Sequence, residues 1–252
     1  MDTRLEGRIV CITGASSGLG RATALRFAAS GARIVCADLR QAAEPVETEI
    51  KQKYGDDRAI FVQVDVCEES QIEAMIKKTV EWAGRLDIIC NYAGLATEAA
   101  HDPRQRLHET STADLDKTLA INLRGVWICC KYAIIQMLAQ EPLPENARGE
   151  RTRGKIINAA SMLGLVAIGG TPNYVPSKHA VVGLTKQIAL DYAQDRIHAN
   201  ALCPGFIDTP LIASLVADPE AKKQLAAAHP WNSLGKSEDI ADAALFLASD
   251  ES

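Results

Sequence analysis

Six short runs rich in β-branched and apolar residues punctuate the chain, at 8–13, 33–37, 59–64, 86–90, 155–159 and 197–202, each with the length of a buried strand. Between them lie longer segments of helical period at 18–30, 43–54, 69–83, 111–140 and 174–193, with a last one at 238–249. Strands that alternate with helices need crossover connections. The pattern therefore predicts an α/β fold: a parallel sheet with helices on both faces. Ser111 with Asp114 three residues on resembles a capping box, and Ser237 ahead of Glu238 and Asp239 suits a positive helix end. No internal repeat of fixed period is present. Composition shifts only at 141–153 (EPLPENARGERTR), read as a solvated loop. Its Arg148, Arg151 and Arg153 lack the interleaved aromatics and wider basic field of a partner surface.

With 252 residues, 47% of them hydrophobic, the chain can bury a sizeable core, and one domain spanning 1–252 is the expectation. A net charge of -5 gives no footprint for phosphate backbones or anionic membranes, so neither is an expected partner. The seven cysteines include no C-x-x-C pair; Cys11, Cys36, Cys90, Cys129 and Cys130 sit in apolar runs, as reduced thiols do. No secretory apolar region follows Met1-Asp2-Thr3-Arg4, and no charge-free run reaches bilayer length. A cytoplasmic protein is expected.

Thr13-Gly14-Ala15-Ser16-Ser17-Gly18-Leu19-Gly20 joins the first strand to the first helix, the context a dinucleotide-binding turn requires. Gly14 allows the tight turn, Gly18 lets backbone approach a pyrophosphate, and Gly20 permits close packing of helix on strand. The free N–H groups of the helix start then face the phosphates. Simple turn chemistry is the competing account. Asp38, 18 residues after Gly20, stands near the spacing at which a carboxylate receives ribose hydroxyls, and its charge would repel a 2′-phosphate. NAD is expected over NADP, with Arg40 read as solvated. Asp65, followed by Val66, is placed to accept from an adenine amino group or, equally, to cap a strand end.

Tyr174-Val175-Pro176-Ser177-Lys178 sets a phenol and an ammonium four residues apart, on one face of a helix. Pro176 requires that Tyr174 lie near the helix start. A phenol is a poor base at neutral pH, and a fixed cation such as Lys178 is expected to lower its pKa.

Taken together, these elements, with Asn91-Tyr92-Ala93-Gly94, Asn122, Ser161 and Pro204-Gly205-Phe206-Ile207-Asp208-Thr209, resemble the short-chain dehydrogenase/reductase family, in the branch with Thr-Gly-x-x-x-Gly-x-Gly and Tyr-x-x-x-Lys motifs. The resemblance implies a Rossmann-type doubly wound sheet. It also implies that Tyr174 is the general acid/base, Ser161 orients the substrate oxygen, Lys178 holds the nicotinamide ribose, and Asn122 positions a proton-relay water. On the cofactor side it implies contacts from Ser16, Ser17, Leu19, Leu39, Val66, Asn91, Ala93, Gly94 and Tyr174, and a carboxamide site at Pro204, Gly205, Ile207 and Thr209. For Ser161 a turn-capping role stays open, and for Asn122 that of a buried amide bonded to backbone.

Two features depart from the family pattern. Tyr92 replaces the second asparagine of Asn-Asn-Ala-Gly, which puts a sheet-stabilising role there in doubt. The chain stops at Ser252, ahead of the family's seventh strand, so the expectation is a cut-off C-terminal strand or a sixth strand left as an edge.

Stretches 95–108, 162–173 and 206–231, the last a lid in the family, are the candidate substrate walls, with Leu163, Leu165, Ile168, Phe206, Leu211, Ile212 and Leu215 suggesting an apolar pocket or ordinary packing. His101, His108, His179, His198 and His229 show no metal-ligand spacing, and Gly169-Gly170-Thr171 is no nucleophile elbow. Trp127, Ile128, Ile134 and Met137, with Ala180, Val181, Leu184 and Ile188, make two helices apolar on more than one face. In the family such helices pair in a homodimer or homotetramer; monomer core competes. The expected activity is hydride transfer between NAD(H) and a secondary alcohol or ketone. The alternatives are an NADPH-dependent carbonyl reductase and a non-catalytic nucleotide sensor.

Overall fold

A computed structural model describes residues 2–100 and 105–252, leaving out the side chain of Ala100. Strands β1 (Ile9–Thr13), β2 (Arg33–Asp38), β3 (Ala59–Gln63), β4 (Ile88–Asn91), β5 (Gly154–Ala159) and β6 (Ile197–Leu202) form one parallel sheet in the order β3-β2-β1-β4-β5-β6. The strand order reverses at β1, which pairs with both β2 and β4, so Thr13 lies between Ala37 and Asn91. That reversal opens a crevice beyond the carboxyl ends of the strands, where the loops from β1 and β4 diverge.

Alternation along the strands decides which helices pack on which face. Val10, Ile12, Ile34 and Cys36 are buried against Phe27 of α1 (Gly18–Ala29), Ile50 of α2 (Val46–Tyr54) and Leu245 of the last helix. Cys11, Val35 and Ala37, one residue out of phase, meet Met75 of α3 (Glu69–Ala83) and the long central helices. Each fully buried Ile or Phe contributes about 1.5–3 kcal/mol, enough for the pattern to hold the register. Cys11, Cys36, Cys90, Cys129 and Cys130 lie in these layers as free thiols.

Four differences from the sequence pattern have physical causes. The second helix starts at Val46 rather than 43, because Pro45 takes the cap position and disfavours helical backbone before it. The segment expected as one helix over 111–140 is three pieces: α4 (Thr112–Leu119), a wide π turn (Ala120–Gly125) and α5 (Val126–Ala139). A Cβ at Gly125 would lie 2.9 Å from the Val66 carbonyl, so that turn is pressed onto the loop after β3. Ser111 caps α4 as expected, accepting from the Asp114 N–H at 3.1 Å. After α6 (Tyr174–Asp191) comes a helix absent from the pattern reading, α7 (Pro219–Ala227). Its signal was present: Asp218 caps it, Pro219 opens it and Glu220 follows. Finally, α8 (Ser237–Ala248) takes Lys236 rather than Ser237 as its cap, with Asp239 accepting the Lys236 N–H at 2.8 Å.

The helical run Thr112–Ala139 contains an 18-residue window with the mean hydropathy, 1.3, of a membrane span, but half of that window is buried inside the fold. The 141–153 loop closes on itself through Leu143 N–H to the Thr152 carbonyl, and Arg153 caps α5 by donating to the Gln140 carbonyl. Strand β6 is an edge of the sheet, and the chain end is tied to β5 by Lys155, whose ammonium donates to the Ser249 carbonyl and to Ser252 Oγ.

Candidate active site

The glycine turn forms the floor of a cleft of about 1060 Å³, open mouth included, at the strand reversal. Gly14 and Gly18 have φ of 70° and 51°. A Cβ at Gly20 would fall 2.1 Å from the Gly14 carbonyl oxygen, and one at Gly14 would fall 2.7 Å from the Ala93 nitrogen. Bare backbone is therefore obligatory here, as a nucleotide cradle needs. Ser17, at the cap of α1, makes no side-chain cap bond and leaves the helix start free for an anion. Leu19, Asp38, Leu39, Asp65, Val66, Ala93 and Gly94 line the same cleft.

Within that cleft, Asp38 accepts the Ser16 N–H at 3.0 Å, while the Ser16 hydroxyl donates to the Arg40 carbonyl at 2.8 Å. The turn and the end of β2 are thereby tied into one rim. Asp65 accepts the Cys67 N–H at 2.9 Å, so the capping role left open for it is present. Tyr92 reaches under α1, where the Thr23 hydroxyl donates to its phenol at 3.0 Å. The tyrosine that departs from Asn-Asn-Ala-Gly thus pins the phosphate-side helix to β4.

A second cavity, about 920 Å³ with its open mouth, adjoins the first: Leu19, Thr209 and Leu211 line both. Ser161, Tyr174, Pro204, Gly205 and Ile207 line the second one. Tyr174 opens α6. The first turn of that helix is accounted for bond by bond: the Val175 N–H donates to the Thr171 carbonyl, Pro176 has no N–H, and the N–H groups of Asn173 and Tyr174 donate to the Glu98 carboxylate at 2.7 and 2.8 Å. Glu98 went unnoticed in the sequence because its partners lie about 75 positions away.

Ser161 accepts the Leu163 N–H at 3.1 Å, a turn cap that leaves its own proton free to donate. Burial pushes the Tyr174 phenol up to about 12; Ser161 works against that shift and the charge of Glu98 adds to it. The Lys178 ammonium lies 5.5 Å from the Tyr174 ring centroid and donates to the Ala159 carbonyl at 2.7 Å. Burial brings Lys178 itself down to about 8, opposed by Cys203. The phenol lowering expected from Lys178 does not arise in this arrangement of protein groups, where burial, Ser161 and Glu98 set the shift.

Asn122 sits in the π turn, fully buried, with both ends of its amide in use. It accepts the Leu95 N–H at 2.9 Å and donates to the Leu95 carbonyl at 2.8 Å and to Ser177 Oγ at 3.2 Å. The buried-amide alternative is therefore realised. A Cβ at Gly94 would lie 3.3 Å from Asn122 Oδ1 and 3.7 Å from Lys178 Nζ, so these two residues bracket that glycine. Of the expected cofactor contacts, Ser16, Lys178 and Asn91 line neither cavity, and Asn91 is engaged within the sheet. Its side chain is buried below the sheet and donates to Asn158 Oδ1 at 2.8 Å, because β4 extends through it and turns it toward α5.

His229 also went unassigned. Its Nε2 accepts the Phe206 N–H at 3.2 Å and its ring stacks on Trp231, which ties the end of α7 to the Pro204–Thr209 segment. His101 and positions 102–104 of the expected 95–108 wall lie outside the described residues. Among the described residues no group of three His, Cys, Asp or Glu is placed to hold a metal.

A family model described as enoyl-(acyl carrier protein) reductase matches residues 14–252. The 2-(R)-hydroxypropyl-CoM dehydrogenase of Xanthobacter autotrophicus is 36% identical over 246 residues, 97% of this chain and 92% of that protein. Among solved structures, ElxO with NADP bound aligns with a TM-score of 0.83 at 31% identity, covering 97% of this chain and 92% of that one. The 3-ketoacyl-(acyl-carrier-protein) reductase from Brucella melitensis, complexed with NADH, aligns with a TM-score of 0.83 at 29% identity, covering 98% and 93%.

Proposed function

The chain belongs to the short-chain dehydrogenase/reductase family and is a nicotinamide-dependent oxidoreductase of alcohol or ketone groups; from that premise we propose that it uses NAD(H) on a secondary alcohol or ketone, with Tyr174 as general acid/base. The observation that carries this reading is that Tyr174 and Ser161 line a cavity opening onto the glycine-turn cleft at Leu19 and Thr209. The glycine turn, Asp38 and the Pro204–Thr209 segment would hold the nicotinamide cofactor, whose chemistry when bound would be exchange of a hydride with the substrate carbon. Tyr174 gives the proton to the substrate oxygen in reduction and removes it in oxidation. Ser161, its acceptor lone pair engaged by Leu163, donates to that oxygen and fixes it beside the phenol. Lys178 would hold the ribose and supplies positive charge behind Tyr174, and Asn122, whose Oδ1 keeps a second lone pair beside its bond from Leu95, would position a water linking Lys178 to solvent.

The charge of Asp38 on the cleft rim supports NAD over NADP, since a 2′-phosphate would meet a carboxylate there. Buried free thiols support a reducing, cytoplasmic setting. A second copy of the chain is the proposed cover for exposed Trp127, Ile135 and Leu138 on α5 and Leu190 on α6, in a homodimer or homotetramer that light scattering would detect. By contrast Ile128, Ile134, Met137, Val181 and Ile188 of the same helices are monomer core.

The test is titration with NAD and NADP, followed by a panel of secondary alcohols and ketones read by nicotinamide absorbance. Tyr174→Phe is expected to lower kcat by about 10²–10⁴-fold while cofactor affinity stays. Tighter binding of NADP would overturn the Asp38 argument. Tight NAD binding without turnover would point to a nucleotide sensor.

A further inference from the structure

The substrate cavity is lined by apolar side chains, backbone and hydroxyls, and among the described residues that line it Glu98 is the charged one. Glu98 is 8% exposed and sits on the short helical turn Thr97–Ala100, in the loop that leaves β4. Its carboxylate is held rigidly: Oε1 accepts the N–H groups of Asn173 and Tyr174, and Oε2 accepts the Thr97 hydroxyl at 3.4 Å. The positive end of α6 stabilises a negative charge at that place. A cap for α6 did not require a carboxylate from across the cavity, because Asn173 stands at the cap position; its side chain instead donates to Thr97 Oγ1 at 3.2 Å. The result is a fixed negative charge on an apolar wall, next to the residue that handles the substrate oxygen.

No lysine or arginine lines the cavity among the described residues to balance a second negative group. Resting on the oxidoreductase reading above, we propose that Glu98 makes this cavity selective for uncharged, apolar secondary alcohols and ketones over those carrying a carboxylate, phosphate or sulfonate. Two like charges about 6 Å apart, at the screening typical of a partly buried site, cost roughly ten- to a hundredfold in affinity.

The test uses the full chain loaded with cofactor and a series of methyl ketones ending in either a free carboxylate or its methyl ester, levulinate and methyl levulinate being the shortest pair. In the unaltered protein kcat/KM is expected to favour the ester roughly ten- to a hundredfold. Glu98→Gln keeps the volume and an oxygen for the two N–H groups, and its amide can donate to the Thr97 hydroxyl. It is expected to collapse the ester-to-acid ratio to within about threefold, chiefly through KM of the acid. Glu98→Ala also loses the cap, so it lowers kcat for both members alike, which separates placement of Tyr174 from charge selection. Calorimetric binding of the same pairs reads the ratio without turnover. Equal affinities for ester and acid, or a ratio unchanged in E98Q, overturn the proposal. A binding preference that disappears in E98Q while no ketone is turned over sustains it and overturns the dehydrogenase reading instead.

Discussion

The two adjoining cavities are held in opposite ways. Around the glycine turn backbone lies against backbone, and an added Cβ at Gly14 or Gly20 would penetrate main-chain atoms. On the substrate side the contacts are side chains that cross long stretches of sequence: Glu98 to the start of α6, His229 to Phe206, and the Ser214 hydroxyl to the Ala99 carbonyl at 2.9 Å. That side also leaves Leu165, Leu211 and Trp231 at least two-fifths exposed. A site shaped by backbone can specify a cofactor common to many enzymes. A site shaped by remote side chains can change its substrate without disturbing the sheet.

The strongest way to break this contrast is Gly20→Ala. Its Cβ meets the rigid Gly14 carbonyl, so cofactor affinity is expected to fall by about 100-fold, with a stability loss of about 1–3 kcal/mol. Calorimetric titration and thermal denaturation check both, and near-normal binding would show the cradle to be deformable.

Next in size is Lys178→Met, at the buried ammonium between Gly94 of one cavity and Tyr174 of the other. Burial places the folded pKa of Lys178 near 8, below its ordinary 10.5. Between those values the unfolded chain binds more protons, so this residue's contribution to stability rises with pH from about 8 to 10.5. Below that window the buried charge is a cost. The variant is expected to be inactive yet more stable at neutral pH by about 1–3 kcal/mol, the shift being offset in part by the lost bond to Ala159. Its stability should also climb less steeply above pH 8, the remaining rise coming from Lys155, which burial brings to about 8 as well. Denaturant melts across that range measure both effects.

Asp38→Asn sharpens the cofactor side alone. The NAD-to-NADP preference is expected to move about tenfold toward NADP, read from the two dissociation constants, with no change in the ketone KM. The smallest effect belongs to His229→Ala. Loss of one bond to the Phe206 N–H is expected to raise the ketone KM by about two- to fivefold and leave cofactor affinity unchanged.

What the sequence determined by itself is what neighbouring residues settle among themselves. Apolar periods located six strands to within a residue or two at each end, the alternation of strand and helix implied the parallel layers, and Gly14 to Gly20 and Tyr174 to Lys178 each form a motif within one turn of chain. Even α7 was legible in Asp218-Pro219-Glu220. Tertiary structure alone decided the rest. It opened the central helix into a π turn where Gly125 meets Val66, turned Asn91 down to Asn158, made burial the main influence on the Tyr174 phenol, and brought Glu98 across to cap α6. The reason is range: hydrophobic period and turn chemistry act over a few residues, whereas desolvation and a carboxylate's choice of N–H partners depend on segments the chain brings together only when folded.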